Sequence, residues 1–298
     1  MSAGELRIGI SGWRYEPWRG VFYPDDLPQK SELAYAARHF NSIEINGSFY
    51  SLQKPSLYQR WHDATPDDFV FAVKGGRFIT HMKKLIDVRV ALANFLASGV
   101  LCLEEKLGPI LWQFPESLPC DLERFAAFFE LLPRDTRAAA ALAREHSPRF
   151  ADRVATRVER NRPLRHAVEV RAASCVEPAF IDLLRQHGLA CVVADTAGKW
   201  PMIEAPTASF TYVRLHGGKK LYVSGYGPRA IASWADRVAA WRERGDVYVY
   251  FDNDAKVHAP FDAAALAKAL GVTIGEPLRN KRGKLAKRRP LREAIRGG

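Results

Sequence analysis

The sequence predicts an α/β protein with a single (β/α)8 barrel of the TIM type, and three observations carry the prediction. A chain of 298 residues with 47% apolar content can bury one large core, and a barrel of about 250 residues plus insertions fits that length. Eight short runs rich in β-branched and aromatic residues recur along it, separated by segments of helical periodicity. Parallel βα units produce that alternation. Charged and polar residues stand where these runs end, on the face where such barrels gather their functional groups.

The first run, LRIGIS (6–11), leads through an aromatic-rich connection to the helical SELAYAARHF and then to SIEIN (42–46). A second aromatic connection, NGSFYSLQKPSLYQRW, precedes FVFAVK (69–74), which is followed by the helical VRVALANFLASGV. PILWQF (109–114) precedes the helix LERFAAFFELL, and HAVEV (166–170) precedes EPAFIDLLRQHG. ACVVAD (190–195) is followed by TAGKWPMIEAPTAS, which reads as a loop or a short helix. FTYVRLH (210–216), the helix AIASWADRVAAWRERG, VYVYFD (247–252) and the helix FDAAALAKALG complete the set. Strands this continuously apolar are covered on both faces, and closing them into a barrel removes the edges of an open sheet. Residues 134–163 are Ala- and Arg-rich and too long for a plain connection, so they read as a helical insertion on the rim. The barrel domain thus spans 6–275, with no internal repeat or low-complexity linker to mark a second one.

The net charge of +11 invites a nucleic-acid reading until it is located. Residues 279–298 hold nine Lys or Arg and one Glu, so +8 belongs to a basic C-terminal tail and the body carries only +3. Such a tail attracts any polyanion, which leaves nucleic acid as a possible partner through it. No apolar run approaches a membrane span of roughly 18 residues, and the start MSAGELRIGIS lacks a basic segment followed by an apolar one. The expected location is cytoplasmic, with no membrane partner. Cys102, Cys120, Cys175 and Cys191 lie far apart without a CxxC pair, so reduced thiols are expected rather than a zinc ribbon or a disulfide framework.

The strand ends read Ser11-Gly12-Trp13, Glu44 with Asn46, Lys74, Gln113, Glu169 with Arg171, Asp195, Arg214 with His216, and Asp252-Asn253. Members of each pair spaced by two share one face of a strand. This inventory suits acid–base chemistry on a small anion. Glu44 and Glu169 are candidate bases and His216 a proton shuttle, while Lys74, Arg171 and Arg214 are candidate clamps for a phosphate or carboxylate. The alternative for any one pair is a structural ion pair inside the barrel. His216-Gly217-Gly218-Lys219-Lys220 places a glycine turn with lysines after the seventh strand, where barrels often hold phosphate. Thr80 is placed to cap a helix and His81 to lie over the mouth, and Trp13 and Tyr50 to stack on a sugar or base. Glu169, Asp195, His216 and Asp252 end successive strands and are ligand types for Mg2+, Mn2+ or Zn2+. Arg171, Arg214 and Lys74 in the same mouth would repel such an ion, so no cofactor is expected.

The motifs SGWRYEPWRGVFYP, FNSIEINGSFY, FAVKGGRFITH, LGPILWQFP, AVEVR, ADTAGKWP, YVRLHG, YVSGY and VYVYFDND, in this order, resemble those of the YecE-like proteins. That bacterial and archaeal family is catalogued as domain of unknown function 72. The resemblance covers roughly residues 6–270 and implies a TIM barrel described as related to sugar isomerases, similar to xylose isomerase and endonuclease IV. The family pattern falls on Trp13, Tyr15, Trp18, Glu44, Asn46, Tyr50, Lys74, Thr80, His81, Gln113, Glu169, Arg171, Asp195, Arg214, His216, Tyr226 and Asn253. Beyond Arg171, Ala172 stands where the family has a histidine, and Ser174-Cys175 where it has Ser and a large aromatic. Three functions remain in play: an enzyme acting on a small phosphorylated or carboxylated, sugar-like substrate; a nucleic-acid binder or endonuclease IV-like phosphodiesterase; and a non-catalytic anion sensor.

Overall fold

In the computed structural model, which describes residues 3–278, the backbone closes into the barrel the sequence predicts. Eight parallel strands pair in chain order and the last pairs with the first: β1 Leu6–Ser11, β2 Ser42–Ile45, β3 Val70–Lys74, β4 Leu107–Gln113, β5 His166–Glu169, β6 Ala190–Asp195, β7 Phe210–Leu215 and β8 Asp246–Phe251. Each begins and ends within two residues of its predicted run, and β4 and β8 are shifted slightly toward their N-termini. The helices are α1 Glu32–His39, α2 Gly47–Tyr50, α3 Pro55–Asp63, α4 Arg89–Ala97, α5 Leu122–Leu131, α6 Thr136–Ala143, α7 Pro178–Gln186, α8 Pro228–Arg242 and α9 Ala259–Ala269. The segment 196–209 is a loop.

Two apolar clusters reflect the two faces of the barrel wall. The larger joins Ile8, Ile10, Ile43, Phe71, Trp112 and Val213 to the surrounding helices. The smaller, with Ala72, Leu111, Ala167, Val192, Ala194, Tyr212 and Tyr250, fills the interior. Period-two alternation sends successive residues to opposite faces, and both faces are buried, so each strand is apolar throughout. Pro109 has no N–H to give the ladder, and the β3–β4 register shifts between Phe71 and Val73. That irregularity sets Lys74 opposite Leu111, at the top of the interior.

The connection from β2 to β3 contains α3, which opens with Pro55 at its first turn and buries Tyr58 and Trp61. Of the expected insertion, only α6 and a short 3-10 segment, Pro148–Arg153, are helical. Asp135 caps α6 by accepting from the Ala138 N–H at 2.9 Å. This helix packs against α4, which explains why α4 is buried nearly all round, at Ala91, Leu92, Ala93, Phe95, Leu96 and Ala97. The insertion precedes β5 and so lies at the N-terminal end of the strands, away from the mouth. The basic tail, 279–298, lies outside the described residues, as does any role for it in the structure.

Candidate functional site

Two residues beyond Tyr212 on the inward face of β7, Arg214 is fully buried at the centre of the barrel. Ala194, its neighbour in register, and Ala72, the neighbour of Glu44, are small enough to leave it room. Its Nε donates to Glu44 Oε2 at 3.0 Å and its Nη2 to Glu44 Oε1 at 2.8 Å, a bidentate pair. Nη1 donates to Glu169 Oε2 at 2.7 Å and Nη2 to Asp252 Oδ2 at 2.9 Å. Ser11 Oγ and Tyr212 Oη also donate to Glu44, at 3.0 and 2.6 Å. Arg171 closes the network from above, its Nε donating to Glu169 Oε1 at 3.1 Å and its Nη2 to the Tyr222 hydroxyl at 3.2 Å. His216 places Nδ1 3.0 Å from Asp252 Oδ2.

These contacts set the charges. Burial alone would push the Glu169 and Asp252 carboxyls up, but Arg214 above all, with Arg171 beside Glu169 and His216 beside Asp252, holds both below the usual carboxylate range. Asp254 is the opposite case. Burial and then the negative charge of neighbouring Asp252 push its carboxyl well above the usual carboxylate range. Two carboxyls side by side cannot both ionise cheaply, and Arg214 decides which one does.

Above this layer opens a cavity of about 960 Å3 lined by Tyr15, Pro17, Asn46, Phe49, Tyr50, Lys74, Arg77, His81, Met82, Gln113, Arg171, Tyr222, Asp252, Asp254 and Ala255. The positive φ of Gly12, 80°, turns the chain out of β1 and brings Tyr15 back so that its hydroxyl donates to the Ser11 carbonyl at 2.5 Å. The same hydroxyl lies beside Asp254 and Asn46, and burial pushes it up, followed by the charges of Asp254 and Asp252. Lys74 ends β3 with only 8% of its surface exposed. Burial, then Arg214, pushes its amine down to about 8. His81, half-buried over a π-helical turn, Phe78–Met82, is pushed down to about 4 by burial and by Lys74 and Arg171, and is therefore a neutral imidazole. Its Nδ1 lies 2.8 Å from Thr80 Oγ1, so Thr80 holds the ring rather than capping a helix.

The structure thus brings Asn46, Tyr50, Lys74, His81, Gln113 and Arg171 together around one cavity. Other expectations change. Arg214 is no substrate clamp, because its donors are spent on three carboxylates below the cavity. Glu44 and Glu169 are buried with their oxygens engaged, and His216 is wholly buried beside Asp252, so none of the three faces the cavity as a free base or shuttle. Asp195 and Asn253 fall on the outward face, one residue out of step with Ala194 and Asp252. Asp195 accepts from the Tyr226 hydroxyl at 3.0 Å, and Asn253 Nδ2 donates to Asp262 Oδ2 at 2.8 Å. Trp13 is buried edge-on against Trp61, with ring centres 5.3 Å apart, and is not a stacking platform. The glycine turn after β7 is closed on itself. The Lys219 and Lys220 N–H groups donate to Ser224 Oγ and the Gly217 N–H to the Tyr226 hydroxyl, so they are not aimed at a phosphate.

Sequence reasoning missed Asp254, Tyr222, Arg77 and Trp200. Asp254 stood two residues past Asp252, with the same parity, and a longer reading of FDND reaches it. Trp200 stacks under Arg171, 3.7 Å from the guanidinium to the ring centre, and donates to Glu116 at 3.0 Å. No strand pattern points to a ring in a loop. Among the described residues no group of three His, Cys, Asp or Glu side chains is placed to hold a metal ion. Arg214 fills the space among Glu44, Glu169 and Asp252, so these carboxylates do not fit one. Among the described residues no helix is long and apolar enough to cross a membrane.

A closed eight-stranded barrel with a charged cavity over the C-terminal strand ends defines a TIM-barrel protein. The model of a family described as protein of unknown function DUF72 matches residues 7–285, and the chain belongs to that family. It is 24% identical over 277 residues to the protein YecE of Escherichia coli K12, covering 91% of this chain and 94% of that one. It is 30% identical over 132 residues to the protein YunF of Bacillus subtilis, covering 41% and 44%. The crystal structure of a DUF72 family protein from Thermotoga maritima superimposes with a TM-score of 0.71 at 25% identity, covering 90% of this chain and 99% of that one. One from Enterococcus faecalis gives 0.69 at 19% identity, covering 90% and 96%.

Proposed function

We propose that the protein is an enzyme that binds a small anionic, sugar-like molecule in the barrel mouth and moves protons on it. The observation that supports this most directly is the Asp252–Asp254 pair. Two neighbouring carboxyls line one cavity, one pushed down by Arg214 and the other pushed well up beside Tyr15. Environments that drive paired groups apart supply an acid and a base at the same pH. Asp254 is the proton donor and Asp252 the acceptor, with Arg214 keeping Asp252 ionised. Arg171 and Arg77 offer forked donors to a phosphate or carboxylate. Trp200 braces Arg171, and the rings of Phe49, Tyr50 and Tyr222 suit the apolar face of a sugar. The Asn46 Oδ1 is buried without a hydrogen-bond partner among the described residues, an acceptor ready for a hydroxyl.

Calorimetric titration with ribose 5-phosphate and with ribose, followed by proton NMR of the phosphate ester in deuterated water, tests the reading. The phosphate ester should bind more tightly than ribose, and Arg171→Ala should weaken it by about 10- to 100-fold, the worth of one charged hydrogen-bonding group. Carbon-bound hydrogen should exchange with solvent in the wild type, and Asp254→Asn should stop the exchange while leaving binding within a few-fold. Equal binding of sugar and ester would end the anion reading. Binding without exchange would leave a sensor instead of an enzyme.

A further inference from the structure

The amine of Lys74 has no place in the proton relay. Its surroundings set it apart from other lysines of the chain. Its Nζ stands 4.4 Å from the centre of the Phe49 ring, in the wall of the cavity, and among the described residues no hydrogen bond or ion pair reaches it. Lysine is a long, flexible side chain that is almost never buried without a partner. Here the carboxylates that would pair with it, Glu44, Glu169 and Asp252, are already taken by Arg214. The backbone beneath is held firmly, since the Lys74 carbonyl accepts from Ser48 Oγ at 2.7 Å. The amine is thus fixed at its root, free at its tip and open to the space that Arg171, Arg77 and Asp254 also line.

We infer that Lys74 is a nucleophile that forms an imine with the carbonyl group of the bound anion. The substrate class follows: an aldehyde or ketone carrying a phosphate or carboxylate a few atoms away, such as an open-chain sugar phosphate or a 2-oxo acid. The anionic end takes Arg171 and Arg77, and the carbonyl carbon takes Lys74. In the step itself, the nitrogen lone pair forms a bond to the carbonyl carbon while the carbonyl oxygen takes a proton from Asp254. The hydroxyl of the resulting carbinolamine then leaves as water, its second proton coming from the nitrogen through the same carboxyl. One amine and one carbonyl give one imine and one water, with nothing oxidised or reduced. The groups facing the amine favour its neutral form on balance. Burial and Arg214 work against the charge; Asp252, Glu169 and Glu44 oppose them; and His81, on the neighbouring turn, is itself neutral. Desolvation beside another cation is a recognised way to prepare an imine-forming lysine.

This inference rests on the proposed anion site, and the test separates the two. The whole protein is incubated at pH 7.5 with glyceraldehyde 3-phosphate and sodium cyanoborohydride, which reduces an imine to a stable secondary amine, and labelled lysines are mapped by peptide mass spectrometry. Lys74 should be labelled at least tenfold faster than the half-buried Lys84, because burial and Arg214 leave about a quarter of the Lys74 amine neutral at pH 7.5. Inorganic phosphate should compete with the labelling, and glyceraldehyde without the phosphate should label Lys74 far more slowly. The rate at Lys74 should rise between pH 7 and 9 with a midpoint near 8. Lys74→Arg keeps the charge and loses the label, and binding of glyceraldehyde 3-phosphate to it, measured calorimetrically, shows that the site is still folded. Label spread over surface lysines with Lys74 no faster than Lys84 overturns the imine. If the aldehyde phosphate still binds in that case, the anion site stands alone, and if it does not, both readings fall.

Discussion

Arg214 is hydrogen-bonded to Glu44, Glu169 and Asp252 at once, so its removal strands three buried negative charges. Replacing one partner of a buried ion pair costs about 3–5 kcal/mol, and Arg214→Met should cost at least that in urea unfolding. Arg214→Lys should be nearly as damaging, since an ammonium cannot make the forked contact to Glu44. Acid acts on the same network. Glu169 and Asp252 have native pKa values below their ordinary ones of 4.5 and 3.8, so as pH falls below those values the unfolded chain takes up protons that the native state refuses. Their contribution to stability is complete above about pH 5 and is lost as pH falls toward 2, which an acid titration of the unfolding free energy should trace. Asp254 has the reverse sign. Its native pKa is raised, so its contribution is lost as pH rises above its ordinary 3.8. Its Oδ1 is also buried without a hydrogen-bond partner among the described residues. Asp254→Asn, which cannot ionise, should therefore be more stable than the wild type at pH 7, while removing proton transfer. A variant that gains stability and loses turnover is the mark of a residue kept for function.

At the scale of elements, the barrel separates tasks by the end of the strand. The turns above β1, β2, β3, β5, β7 and β8 supply the cavity, while α6 lies below and covers α4. Ala139 and Ala140 of α6 are buried, so there is no space for a larger side chain. Ala139→Leu should cost about 1–3 kcal/mol by overpacking and leave the affinity for ribose 5-phosphate unchanged, read by thermal unfolding and calorimetry on the same sample. A fall in affinity would show that the two ends of the barrel are coupled. The strands themselves were legible as runs of apolar residues, and most helices as periodic ones. Helix α3 was not, because Pro55, Tyr58 and Trp61 read as a packed aromatic connection. The rest of 134–163 departs from the expected helix because Ser147-Pro148 and the segment before Pro163 break the periodicity.

On the whole-molecule scale, charge is divided between a near-neutral barrel and residues 279–298, with +8 of the total +11 in the latter. The barrel mouth offers a cavity, and residues 279–298 offer positive charge. If nucleic acid is a partner, its affinity should fall steeply with salt, and deletion of 279–298 should remove most of that slope while calorimetry with ribose 5-phosphate stays the same. A salt-independent signal, or a slope that survives the deletion, would place nucleic acid elsewhere on the protein.

By itself the sequence determined the barrel, because period-two apolar runs and helical periodicity are local properties that closure merely completes. It also named the cavity residues Asn46, Tyr50, Lys74, His81, Gln113, Arg171 and Asp252, which stand at or beyond strand ends. Only the tertiary structure decided what each charge does. On strands buried on both faces, parity cannot be read from apolarity, so Asp195 and Asn253 looked equivalent to Asp252 until the barrel closed and turned them outward. Nor can a one-dimensional reading show that three carboxylates from β2, β5 and the end of β8 meet on a single arginine from β7. That meeting engages Arg214, Glu44 and Glu169 below the cavity and leaves Lys74 and Asp254 in its lining, the amine pushed down and the carboxyl pushed up by burial.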